Sequence, residues 1–114
     1  MKKTMKNSAT MQRLKNTHIY QLDHINQLVV DSDNYSMFQS YRSLIAIYDK
    51  ENRRLCLGRD YDYSSTTMRH LYQFILWYTS ACDIKDALNN TSNKRKTLAR
   101  LIKEGVIDYD SSMR

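Results

Sequence analysis

The chain has 114 residues and a formal charge of +6, and 41% of its residues are apolar, enough for one domain with a modest core. Proline is absent and only Gly58 and Gly105 are glycine, so no Gly-rich phosphate loop exists, which excludes dinucleotide-binding and P-loop enzymes. Apolar runs such as Phe74 to Tyr78 fall far short of the ~20 residues that cross a bilayer, and no apolar segment follows Lys2 and Lys3 as a signal peptide needs.

The charge is uneven. Lys2, Lys3, Lys6, Arg13 and Lys15 give residues 1–16 a net +5 with no acid. This polar stretch reads as a flexible basic tail ahead of a single domain over residues 17–114. From Thr17 onward thirteen basic residues face twelve acidic ones. A basic chain attracts anionic partners and argues against a nucleic-acid mimic. Cys56 and Cys82 show no close pairing and suit a reducing cytoplasm.

Between Thr17 and Val30 two periodicities compete. Ile19, Leu22, Ile25 and Leu28 recur at helical spacing, whereas Tyr20, Leu22, Leu28 and Val30 share a strand face. β-branched and aromatic content favours one extended, bent segment. Asp31 to Asn34 is a turn by composition. Tyr35 to Tyr48 alternates like one long strand, Asp49 to Asn52 suits a hairpin loop, and Arg53 to Gly58 returns as a second strand.

Thr66 to Ala81 has helical spacing, with Met68, Leu71, Tyr72, Ile75 and Thr79 on one face. Asp83 is a candidate cap for a short helix ending at Leu88. Ser92 or Asn93 can cap a last helix, with Lys103 in its final turn and Gly105 as its left-handed stop. Val106, Ile107 and Tyr109 suit a short strand. The fold expected is α+β: a small three-stranded antiparallel β-meander packed against one main helix, with a basic C-terminal helix.

Ser64 to Thr67 followed by His70 invites a nucleophile-and-base reading. No glycine permits the strained elbow that exposes a nucleophile, and His70 would lie on the same helix. Capping explains the cluster with less: Ser64 or Ser65 accepts from the free N–H groups of the first turn, and Asp60 and Asp62 complement the helix dipole. Ser64, Ser65, Thr66 and His70 are therefore structural residues of that joint. His18, His24, His70, Cys56 and Cys82 show no close ligand pair, so neither a metal nor another cofactor is expected. No acid–base pair or triad emerges, and the chain reads as a non-enzyme.

Nine tyrosines accompany the basic residues, a mixture that suits partner surfaces and single-stranded nucleic acid. Lys94, Arg95, Lys96, Arg100 and Lys103 on the last helix, with Arg53 and Arg54, are the candidate partner-binding residues. Asp83 to Ile107 also admits a helix–turn–helix with a basic second helix, although its first helix is short.

Three stretches, SYRSLIAIYD (40–49), YDYSSTTMRHLYQFI (61–75) and LARLIKEGVIDYD (98–110), resemble small phage, prophage and plasmid proteins of Gram-positive bacteria. Ser40, Tyr41, Ile45 and Ala46 match the first part of their pattern, S-Y-x-T-x-I-A. Tyr63, Ser64, Thr66, Thr67, His70, Leu71 and Phe74 match the second, Y-S-x-T-T-x-x-H-L-x-x-F-L. Ser43 stands where Thr is usual and Tyr61 where Trp is common. The resemblance implies a mobile-element accessory protein, and anti-CRISPR inhibitors are found among proteins of this size and origin. The expected partner is then a host protein, a CRISPR effector nuclease or its guide complex, with a nucleic-acid contact and no membrane. A homodimer is a further expectation. The alternative is a small DNA- or RNA-binding regulator using the basic C-terminal helix.

Overall fold

A computed structural model describes residues 16–114, so the tail expected over residues 1–16 lies outside the described residues except for Asn16. The fold is α+β. Strands β1 (His18–Leu22), β2 (His24–Asp31), β3 (Tyr35–Ser40), β4 (Ser43–Asp49) and β5 (Arg54–Gly58) form an antiparallel meander in sequence order. Helices α1 (Ser65–Tyr78), α2 (Cys82–Asn89) and α3 (Lys94–Lys103) follow, and β6 (Asp108–Asp110) then pairs parallel to β5. A parallel neighbour needs a long crossover, and the helices supply it.

The meander has five strands, not three, because two expected single segments are hairpins. Thr17 to Val30 folds back at Asp23, with Tyr20 opposite Val29. Tyr35 to Tyr48 folds back at Tyr41 and Arg42, with Phe38 opposite Ala46. Asp23 and Tyr41 adopt positive φ, 61° and 54°, as does Arg53 at 54° in the third tight turn. Turns of this hand usually advertise themselves through glycine or asparagine. Here Asp, Tyr and Arg occupy them, so the composition signal is missing. The Asp49–Asn52 loop behaves as expected: the Asp49 carboxylate accepts from the Glu51 and Asn52 amides at 3.1 and 3.2 Å.

One row of side chains crosses the inner sheet face: Tyr20, Val29, Phe38, Ala46, Leu57 and Tyr109, one per strand. The four central members are fully buried. α1 lies against β1, β2 and β3 and contributes Leu71, Phe74 and Ile75 to the same core. The Phe74 ring stacks on Phe38 with centroids 5.8 Å apart. Ile84 and Leu88 of α2 and Leu98 and Leu101 of α3 complete the cluster. The alternate residues Val30, Met37, Ile47 and Cys56 form a row on the outer face, half-buried and outside that cluster.

Local chemistry sets the helix limits. Ser64 is the N-cap of α1, and Thr79 ends the helix in extended conformation while its hydroxyl donates to the Ile75 carbonyl at 2.7 Å. Asn93 caps α3, its side chain accepting from the Lys96 amide at 3.1 Å. Gly105, φ 78°, closes α3, and the Val106 amide donates to the Leu101 carbonyl at 2.9 Å. Asp83 does not cap α2: Ala81 holds that position without a side-chain bond, and Asp83 lies in the first turn, where its charge still complements the dipole.

The two glycines fail differently when filled. At Gly58 a Cβ would sit 2.6 Å from the Met113 carbonyl oxygen and 2.7 Å from that of Leu44, both backbone atoms. At Gly105 a Cβ meets nothing within 4 Å, and only the positive φ opposes it. Gly105→Ala is expected to cost about 1 kcal/mol, and Gly58→Ala more, up to about 3 kcal/mol. Urea unfolding midpoints of the two variants check the ranking.

Asp31 ties β2 to β3 and to the β4–β5 turn. Burial pushes its carboxyl up, but hydrogen bonds from Lys50 and Ser36 outweigh burial and hold it below the usual aspartate range. Asp49 and Asp110 are lowered too, chiefly by the Asn52 and Ser112 side chains. A carboxyl lowered by folding stabilises above its unfolded pKa, and that contribution is lost as pH falls through the folded value. Stability is therefore expected to fall below about pH 4. Asp31→Asn should lower the melting temperature at pH 7 and converge on the parent protein in acid, as thermal scans against pH will show.

Candidate binding cleft

The β3–β4 turn and the start of α1 meet at one end of the sheet. Ser64 Oγ accepts from the Thr67 amide and donates to Thr67 Oγ1, both at 3.1 Å. Thr67 Oγ1 lies 3.5 Å from Ser40 Oγ at the end of β3, and both residues are buried. Ser43 Oγ donates to the Asp60 carboxylate at 3.0 Å. These hydroxyls form a polar seam between hairpin and helix. Ser40, Ser64 and Thr67 are engaged with one another and with backbone, and Ser43 with the Asp60 carboxylate.

Over the seam opens a cleft of about 720 Å³, lined among others by Tyr41, Arg42, Asp60, Tyr63 and Thr66. Tyr41 is 59% exposed and Tyr63 80%. Arg42 is exposed and makes no ion pair among the described residues. Tyr41 projects from the left-handed turn, where a non-glycine residue costs about 1 kcal/mol or more. Its amide donates to the Asn26 carbonyl at 2.7 Å, and Gln39 donates to its carbonyl at 2.8 Å, so the turn is held firmly.

Ser65 and Thr66 are the first helical residues, and His70 lies one turn further in, 1% exposed. His70 Nδ1 lies 2.9 Å from the Thr66 carbonyl, which accepts, so the proton is assigned to Nδ1. Nε2 then carries a lone pair without a hydrogen-bond partner, 3.9 Å from the Asp23 carboxylate. Gln73 Nε2 donates to that carboxylate at 3.1 Å. Gln73 thus braces α1 against the β1–β2 turn, while His70 hydrogen-bonds within its own helix.

The other metal candidates do not join it. His18 and His24 lie at opposite ends of the β1–β2 hairpin. Cys56 is half-buried on β5, where burial first, then Asp108 and Asp110, push its thiol up and keep it protonated. Among the described residues, no three His, Cys, Asp or Glu side chains gather at one point.

The basic residues are partly engaged inside the molecule. Lys94 Nζ sits 4.5 Å over the Tyr72 ring. Arg95 donates to the Asp62 carbonyl at 2.6 Å and lies 3.6 Å from its carboxylate. Asp62 thus serves α3, and Asp60 serves Ser43. Arg100 pairs with Glu104 at 3.1 Å one turn along α3. Arg54 clasps Asp108 at 2.7 Å and the Gly105 carbonyl at 2.9 Å. Lys96 and Lys103 on α3, and Arg53 in its turn, are exposed and make no ion pair among the described residues.

Tyr41, Arg42 and Asp60 were not legible as a site. The polar step Ser40–Ser43 is compatible with a turn, but nothing along the chain links it to Asp60 and Tyr63.

The chain belongs to the family of unknown function DUF8033, which matches residues 3–99. No curated protein and no solved structure matches it. None of the described helices is long and apolar enough to cross a membrane.

Because Ser64 Oγ satisfies a first-turn amide, Ser64→Ala is expected to cost about 1 kcal/mol, and Ser64→Asp to recover most of that. Chemical denaturation of both variants measures it.

Proposed function

We propose that the protein acts by binding rather than by catalysis. In this reading it is a mobile-element-encoded inhibitor of a host defence factor. The favoured factor is a CRISPR effector nuclease, blocked where it engages guide or target nucleic acid. One observation carries the binding reading: six large aromatic side chains, Tyr20, Tyr35, Tyr41, Tyr63, Trp77 and Tyr109, stand at least two-fifths exposed. Tyr and Trp are the side chains that most often anchor partner surfaces. Arg42, Arg53, Lys96 and Lys103 add cations with no ion pair among the described residues. The choice of a CRISPR nuclease among host factors rests on the resemblance of the three sequence stretches to mobile-element proteins.

A DNA- or RNA-binding regulator reading through α3 gains support from Lys96 and Lys103. It loses support from Lys94, Arg95 and Arg100, whose heads are engaged within the molecule. An inhibitor should co-elute with the purified nuclease and suppress target cleavage. A regulator should instead bind free duplex with affinity falling steeply with salt. The double change Lys96→Glu, Lys103→Glu should weaken partner binding about tenfold or more and leave the melting temperature near that of the parent. Unchanged binding would remove α3 from the interface, and failure of both co-elution and cleavage inhibition would remove the CRISPR reading.

A further inference from the structure

The cleft between the β3–β4 turn and α1 combines elements that single-stranded nucleic acid exploits together. Tyr41 and Tyr63 line it with exposed rings, and bases of any sequence stack on such rings. Arg42 lines it too, a cation with no competing ion pair among the described residues. Asp60 contributes a carboxylate whose position is fixed by Ser43 at 3.0 Å. A fixed carboxylate accepts from an exocyclic amino group, which cytosine, adenine and guanine carry and uracil and thymine lack.

We propose that this cleft holds a nucleotide of a single strand. The base stacks on Tyr63 or Tyr41, Asp60 accepts from its amino group, and Arg42 meets the adjoining phosphate. The tyrosine held in the left-handed region at the turn fits this role. Glycine or asparagine would turn the chain there at lower cost, and only the aromatic side chain offers a stacking surface. An arginine side chain of a basic peptide would also suit Tyr63 and Asp60. The net charge of +6 and the adjacent Arg42 repel such a peptide and favour the anionic strand. This inference deepens the binding reading above by naming what the cleft takes.

Short fluorescent homopolymers of cytosine, adenine, and uracil or thymine, each in RNA and DNA form, test it by anisotropy at low salt. Saturable binding is expected, tighter for cytosine and adenine than for uracil or thymine. Tyr63→Ala should weaken it about tenfold, while Tyr63→Phe, which keeps the ring, should retain it. Asp60→Asn, which can still accept from Ser43, should lower the affinity for cytosine and adenine toward that for uracil or thymine. The inference is overturned if no oligonucleotide binds, or if binding ignores Tyr63→Ala and follows Lys96→Glu instead. Saturable binding of an arginine-rich peptide in place of the oligonucleotides overturns it in favour of a peptide pocket. Inhibition of a CRISPR nuclease by a chain that binds no oligonucleotide overturns the nucleotide cleft alone and leaves the inhibitor reading standing.

Discussion

The structure depends on one strip of buried side chains. Val29, Phe38, Ala46 and Leu57 lie side by side across four strands, and Phe74 of α1 stacks onto Phe38. A strand has a side-chain period of two, so a one-residue slip in any hairpin would move its member of the strip to the other face. The three left-handed turn residues Asp23, Tyr41 and Arg53 are therefore tolerated: their local cost is small beside losing a register that buries an aromatic and several aliphatic side chains.

The same packing determines where function can sit. Once Leu71 and Phe74 anchor α1 to the strip, its first turn must lie against the end of the β3–β4 hairpin. The Ser40–Thr67–Ser64 seam satisfies the polar groups trapped there. At that end Tyr41, Arg42 and Tyr63 stay exposed and line open space. On α3 the reverse holds. Its cations mostly serve the fold, steadying the Asp62 loop, the α1–α3 contact and the helix itself.

Electrostatics in this protein is thus mainly local. Arg54 and Asp108 fasten the β6 strand to β5, while Asp31 and Lys50, 2.8 Å apart, fasten the β2–β3 and β4–β5 turns at the same end of the sheet. Exposed pairs of this kind are individually weak. Their use lies in fixing short elements such as β6, only three residues long, that bury little by themselves.

The sequence by itself determined what local chemistry controls. The α1 helix, its serine cap, the Asp49–Asn52 hairpin, the Asn93 cap and the Gly105 stop are all written in residues within a few positions of one another. So was the α+β class, through the change from period two to period 3.6. Only the tertiary structure decided the rest. The hairpins at Asp23 and Tyr41 form because the strip demands that register, and no turn-forming dipeptide announces them. Which cations stay free depends on partners up to 54 positions away, as Arg54 and Asp108 show. The cleft exists because residues 40–43, 60 and 63–67 are brought together by a helix packing on a sheet, a juxtaposition with no signature along the chain.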